Sequence, residues 1–181
     1  MKNRIAEVFK ELAKKNRMEK ISIRSITTAA HINHSTFYYH FKDKSDLVEW
    51  IFFEDIVKNF VKPINDDWTF NVIHLLETFR QNRGFYKQVL NLDSYHNLRK
   101  FLHDVTRKTT RIYIDDVLQS RKLDTFEKNF LIEFISAGYV ETYINYLRND
   151  CQEDPQKLVQ IYKDLTIPAI KCFIEKNSTV N

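Results

Sequence analysis

The amino-acid sequence predicts an all-α protein, with an N-terminal three-helix helix-turn-helix unit followed by a larger helical domain. Its 181 residues include only two glycines, Gly84 and Gly138, so tight hairpins and glycine-rich phosphate loops lack the residue that supplies their positive φ or close backbone approach. Apolar residues recur at helical spacing along most of the chain. Within residues 21–47, helix-start signals repeat three times, at intervals that leave room only for brief helices and short turns.

Ile5, Val8, Phe9, Leu12 and Ala13 follow the i, i+3, i+4, i+7, i+8 spacing, with Lys10, Glu11, Lys14 and Lys15 opposite them. This predicts a first amphipathic helix ending near Asn16 or Arg17. Ser22 is then an N-cap, with Ile21 and Ile26 placed as a hydrophobic staple. Asn33 repeats the device with Ile32 and Phe37, and Asp43 is a third cap with Asp46 as its capping-box partner. The pattern predicts a helix over 23–30, a turn over 31–33 and a second short helix over 34–41, crossing the first steeply. Ile26, Ala29, Ala30, Ile32, Phe37 and Phe41 supply an inner face against Ile5, Phe9 and Leu12. His34, Ser35, Thr36, Tyr38, Tyr39 and His40 are left on the outer and flanking faces.

Beyond this unit a long helix runs from Lys44 through Leu47, Ile51, Phe52, Ile56 and Phe60 until Pro63 stops it. Further helices are predicted over 71–81, 84–90, 95–120 and 125–147, the last of these behind Asp124. A final helix has Pro155 at its first position behind Asp154, and Pro168 is expected to kink or split it. The chain divides into residues 1–48 and 49–181.

Charge follows that division. Residues 1–48 carry ten Lys/Arg against five Asp/Glu, and the remainder eighteen against nineteen. A basic module on a near-neutral body suits contact with a polyanion. No stretch approaches the roughly 18 uncharged apolar residues of a membrane helix, and Lys2, Asn3, Arg4 and Glu7 are unlike a signal-peptide core, so a cytoplasmic location with no membrane partner is expected. Cys151 and Cys172 have no metal-ligand spacing and are expected to be reduced. His96 and His103 share a helical face beside Asp104, but such a pair seldom makes a site; no metal, cofactor or catalytic constellation is expected, and hence no enzyme.

On a recognition helix, residues near its N-terminus face base edges and those on its flanks touch the backbone. His34, Ser35 and Thr36 are therefore the candidates for base reading, Tyr39 offers a ring edge to a thymine methyl, and Tyr38 and His40 would hydrogen-bond phosphates. Thr27, with Thr28, is expected to be exposed near the duplex. The segment from Ile21 to Leu47 resembles the DNA-binding domain of TetR-type transcriptional regulators, through Thr36, Phe37, Tyr38, Tyr39, His40 and Phe41 followed by Lys44. Within that family, Lys42, Asp43, Lys44, Asp46, Leu47, Trp50 and Phe52 are most similar to the branch containing regulators of dihydroxyacetone kinase operons. The resemblance implies a guanine contact by Arg24 and a phosphate clamp by Lys44. The chain departs from the family pattern at His31, where glycine is usual and a left-handed backbone is expected.

The 125–147 segment is apolar on more than one side, with Phe126, Phe130, Phe134 and Ala137 in one row and Leu131, Ile135, Gly138 and Tyr146 in another. With Leu158, Ile161, Tyr162, Leu165, Ile170 and Phe173 it is expected to pair with a second copy in a four-helix homodimer interface. Two recognition helices would then meet a palindromic operator in double-stranded DNA. His74, Phe79, Tyr86, His103, Tyr113 and Tyr139 are candidates for an effector pocket, with a small molecule or a protein as effector. The function expected is a sequence-specific transcriptional regulator, a repressor released by its effector. The alternatives are an activator or co-regulator answering to a protein partner, and a helical receptor without DNA binding.

Overall fold

In a computed structural model that describes residues 1–57, 68–91 and 94–180, the chain begins with α1 (Lys2–Lys15), whose inner face buries Ile5, Phe9 and Ala13 completely. A single 3₁₀ turn (Met18–Lys20) leads to α2 (Ile23–Ala29), α3 (His34–His40) and α4 (Lys44–Phe52), and α4 loosens into a π turn over Phe53–Val57. All three expected caps are present. Ser22 Oγ accepts from the Ser25 N–H at 3.1 Å, Asn33 Oδ1 from Thr36 N–H at 2.8 Å and Asp43 Oδ1 from Asp46 N–H at 2.9 Å. Asp46 reaches back one residue further than a standard capping box, accepting from Lys42 N–H at 2.8 Å.

The turn between α2 and α3 is closed by two backbone bonds, His31 N–H to Thr28 C=O at 3.1 Å and Ile32 N–H to Thr27 C=O at 3.0 Å. This is the Schellman arrangement, and it requires the left-handed backbone found at His31, with φ of 51°. Ile32 then packs against the core next to Ile26 and the fully buried Phe37. Ala29, expected on the inner face, is exposed, because the short helix turns only Ile26, Thr27 and Ala30 inward.

The larger part comprises α5 (Trp68–Gln81), α6 (Arg83–Val89), α7 (Ser94–Leu118), α8 (Thr125–Arg148) and α9 (Pro155–Asn177). The α9 helix continues through Pro168 without splitting. Phe60 and Pro63, expected to end the long helix, lie outside the described residues. A two-residue antiparallel bridge, in which β1 (Arg121–Lys122) pairs with β2 (Thr179–Val180), was not expected from the helical pattern.

One apolar core runs from Phe9 of α1 through Phe52, Phe79, Phe85 and Tyr86 to Leu102, Val140 and Tyr143. A smaller one joins Ile114, Ile132, Ile135, Ile170 and Ile174 of α7, α8 and α9. Polar bonds tie α6 to the N-terminal helices. The Gln88 amide donates to the carbonyls of Ala13 and Asn16, filling acceptors that the end of α1 leaves open, and its oxygen accepts from Met18 N–H at 2.5 Å. Below it, Asp55 accepts from Lys10 at 3.2 Å and from the Tyr86 hydroxyl at 3.1 Å. Burial raises the Asp55 carboxyl above its ordinary pKa against the pull of Lys10. Burial also depresses Lys10, but Glu7 and Asp55 together lift it above its usual value.

Replacing His31 by glycine removes a left-handed clash worth about 1–2 kcal/mol and loosens the unfolded chain by about 0.5–1 kcal/mol. His31→Gly is therefore expected to stabilise the protein by roughly 0.5–1 kcal/mol, read as a higher urea midpoint at unchanged slope.

Candidate nucleic-acid interface and internal cavity

The helix α3 separates its residues by role. Phe37 and Phe41 are buried against α1 and α4, whereas Tyr38 is 55% and Tyr39 85% exposed. His34 and Ser35 are exposed, and Thr36 and His40 half-buried. Six of the residues expected at a duplex thus lie on one short helix, with Phe37 and the C-capping Phe41 anchored inside. Exposed Arg24 stands on the neighbouring α2.

The N-cap also fixes the polarity of two of these side chains. Asn33 Oδ1 accepts from the Thr36 N–H, which identifies this atom as the amide oxygen, and both the Ser35 and Thr36 hydroxyls lie 2.7 Å from it. An amide oxygen cannot donate, so each hydroxyl gives its single hydrogen to Asn33. What remains for an external partner is oxygen lone pairs, suited to the amino groups of adenine or cytosine.

Two expected contacts need correction. Thr27, expected to be exposed, is 2% exposed, with its hydroxyl donating to the Arg24 carbonyl at 3.1 Å; the tight turn that follows rotates this residue inward. Lys44 was expected as a phosphate clamp. Its ammonium instead donates to the carbonyls of Met18, Glu19 and Ile21 at 2.9, 3.3 and 3.1 Å, using all three of its hydrogens. Partial burial lowers its pKa from the ordinary value, with Glu19 pulling the other way. In this arrangement Lys44 holds the 3₁₀ turn to the start of α4.

A cavity lies between α5, α7, α8 and α9, lined by residues including Trp68, Asn71, Thr106, Thr110, Tyr139 and Thr166. Of the expected pocket residues, Tyr113 and Tyr139 line it. The other four do not. Phe79 and Tyr86 are wholly buried in the main core, His103 faces Glu133 at 3.4 Å on the outer side of α7, and His74 lies 3.3 Å from Thr78 one turn along α5. Aromatic type singled these residues out, but helix rotation decides which ring meets a void. The missed signal was hydroxyl spacing: Thr106, Thr109 and Thr110 fall at i, i+3 and i+4, with Tyr113 one turn on. Among the described residues no group of three or more His, Cys, Asp or Glu could hold a metal ion.

A helix-turn-helix with an outward second helix, on a helical body enclosing a cavity, defines a DNA-binding transcriptional regulator. The chain belongs to the TetR family: residues 9–51 match the family model for bacterial regulatory proteins of the tetR family, and residues 66–167 match a transcriptional regulator C-terminal region. It is similar to the HTH-type dhaKLM operon transcriptional activator DhaS of Lactococcus lactis subsp. lactis (strain IL1403), at 28% identity over 93% of this chain and 90% of that protein. An HTH-type transcriptional regulator of Staphylococcus aureus (strain bovine RF122 / ET3-1) is 28% identical over 82% of this chain and 90% of its own length. In fold the chain is similar to a solved structure of dihydroxyacetone kinase operon activator DhaS, with a TM-score of 0.77, 20% identity and 98% of each chain covered.

Substituting Lys44 by methionine is expected to cost about 1.5–3 kcal/mol of stability, the range for hydrogen bonds made by a charged group. The salt dependence of DNA binding should stay at the wild-type slope. Unchanged urea stability with a shallower salt slope would restore the phosphate role.

Proposed function

We propose that the chain is a dimeric, sequence-specific regulator that reads a palindromic operator with residues 1–48 and dimerises and senses an effector with residues 49–181. The observation that carries this reading is the exposed outer face of α3, where Tyr39 stands at 85% exposure beside His34 and Ser35 while Phe37 is fully buried. Rings kept half-polar and wet next to a closed core suit an external partner better than packing. In this reading His34, Ser35, Thr36 and Arg24 contact base edges, Tyr39 meets a thymine methyl, and Tyr38 and His40 bond phosphates.

Dimerisation is supported by a second exposed face. Phe126, Phe130 and Phe134 of α8 are 75, 58 and 69% exposed and stack along the helix at centroid separations of 6.2 and 6.1 Å, while Leu165 of α9 is 67% exposed. An apolar row of this kind calls for a partner, and a second copy would set two α3 helices about one duplex turn apart, on the order of 35 Å. No helix among the described residues is long and apolar enough to cross a membrane, in keeping with a regulator that works in the cytoplasm. The function we propose requires no catalysis and no cofactor.

Effector binding changes DNA affinity only if the effector prefers one spacing of the two reading heads. A repressor released by its effector is the reading we favour. Activation is the second, because the Lactococcus relative is named an operon activator. A reporter fused to the operator, compared in cells with and without the gene, separates the two.

Selection of bound fragments from genomic DNA should return a palindrome, and unordered fragments would remove the sequence-specific reading. Arg24→Ala is expected to narrow the gap between operator and random DNA by about 1–3 kcal/mol, and Ser35→Ala, which removes one neutral hydrogen bond, by about 0.5–1.5 kcal/mol. Equal losses on both DNAs would assign these residues to backbone contact instead. Phe130→Arg should halve the sedimenting mass and weaken operator binding about tenfold or more; an intact dimer would move the interface elsewhere.

A further inference from the structure

We propose that Lys2 is the cation that grips a DNA phosphate at the C-terminal end of α3; this rests on the DNA-binding reading above and gives it the backbone contact that Lys44 does not supply.

The ten Lys and Arg residues of the head are not equally open to a phosphate. Lys10 is buried and paired with Glu7 and Asp55, and Lys14 is paired with Glu11. Lys44 uses all three of its hydrogens on carbonyls. Among the described residues no carboxylate is paired with Lys2. Its ammonium stands over two rings instead, 5.3 Å from the centroid of Phe41 and 5.8 Å from that of Trp50. Those rings meet edge to face at 5.7 Å, so they form a corner that holds the side chain from two sides.

The kind of contact matters as much as its place. A ring face attracts a cation through its quadrupole and leaves the charge uncancelled, whereas a carboxylate would cancel it. Lys2 is half-buried, so it is held in advance while part of its surface still meets solvent. A charge fixed in this way loses less side-chain entropy when an anion arrives. Phe41 is the C-cap of α3 and follows His40 directly. A recognition helix that sets its first residues on base edges brings its far end toward the backbone. Tyr38 offers a neutral hydrogen bond there; an ammonium adds the counterion release that comes with each phosphate neutralised.

The test measures binding of the full-length protein by fluorescence anisotropy over a series of salt concentrations. Two duplexes are used, one of random sequence and one carrying the palindrome recovered by genomic selection. Lys2→Gln should weaken binding to both several-fold at low salt, and make the log–log salt slope shallower by about 0.9 for each head in contact. Lys2→Arg, which keeps both the charge and the ring contact, should restore the slope. Lys14→Gln, at the other end of α1, should leave it at the wild-type value. If Lys2 serves only to tie α1 to the two rings, Lys2→Gln lowers the urea midpoint and leaves the slope unchanged, which overturns the proposal. An equal drop with Lys14→Gln overturns it too, because net charge alone would then account for the slope, as does a loss confined to the palindrome, which would mean a base contact. Failure to recover a palindrome, with the random duplex responding as expected, sinks the sequence-specific reading and leaves this contact standing. Wild-type protein that binds neither duplex sinks both.

Discussion

The left-handed backbone at His31 is the constraint on which the reading surface depends. It ends α2 with two reversed hydrogen bonds, from His31 to Thr28 and from Ile32 to Thr27, and so sends α3 across at a steep angle. Only then can Phe37 and Phe41 fill the space above α1 and α4 while the intervening tyrosines stay wet. A chain that continued helically through residue 31 would carry the following residues on around the axis of α2, about 100° from one to the next, with no second helix crossing it. The same turn carries Thr27 inward, so this polar residue next to the proposed DNA face is buried.

Orientation alone does not hold α3 in place. Asn33 gathers a backbone N–H and two hydroxyls on one oxygen, so its first turn is stiff before any partner arrives. Lys44 fastens α4 to the 3₁₀ turn, and Gln88 fastens that turn and α1 to α6. Preorganised contact groups lose less entropy on binding, and tyrosines on a fixed helix have little left to lose.

Much of this was legible in the sequence because it is local. Ser22, Asn33 and Asp43 cap helices through bonds to residues three positions ahead, and Pro155 and Asp124 mark helix starts by the same short-range chemistry. Contacts over long sequence separations were not legible. Lys44 looks like any exposed lysine until it is seen to reach carbonyls 23 to 26 residues earlier. Tyr86 and Phe79 have the composition of pocket residues, yet α5 and α6 turn them toward Phe52, Phe85 and each other. Thr106, Thr109 and Thr110 carry the α7 side of the cavity wall, and a threonine every third or fourth position on a long helix attracts less notice than a ring.

The ties between α6 and the N-terminal helices carry a consequence for how such chains diversify. Phe9 meets Phe85 edge-on at 6.0 Å, Gln88 closes the end of α1, and Asp55 joins Lys10 to Tyr86. A graft that transplanted the first fifty or so residues onto a cousin's body would sever every one of these joints, leaving an unsealed seam. Swapping operator preference between homologues by recombination would therefore require α6 to travel with the head, although more than thirty residues of chain separate the two.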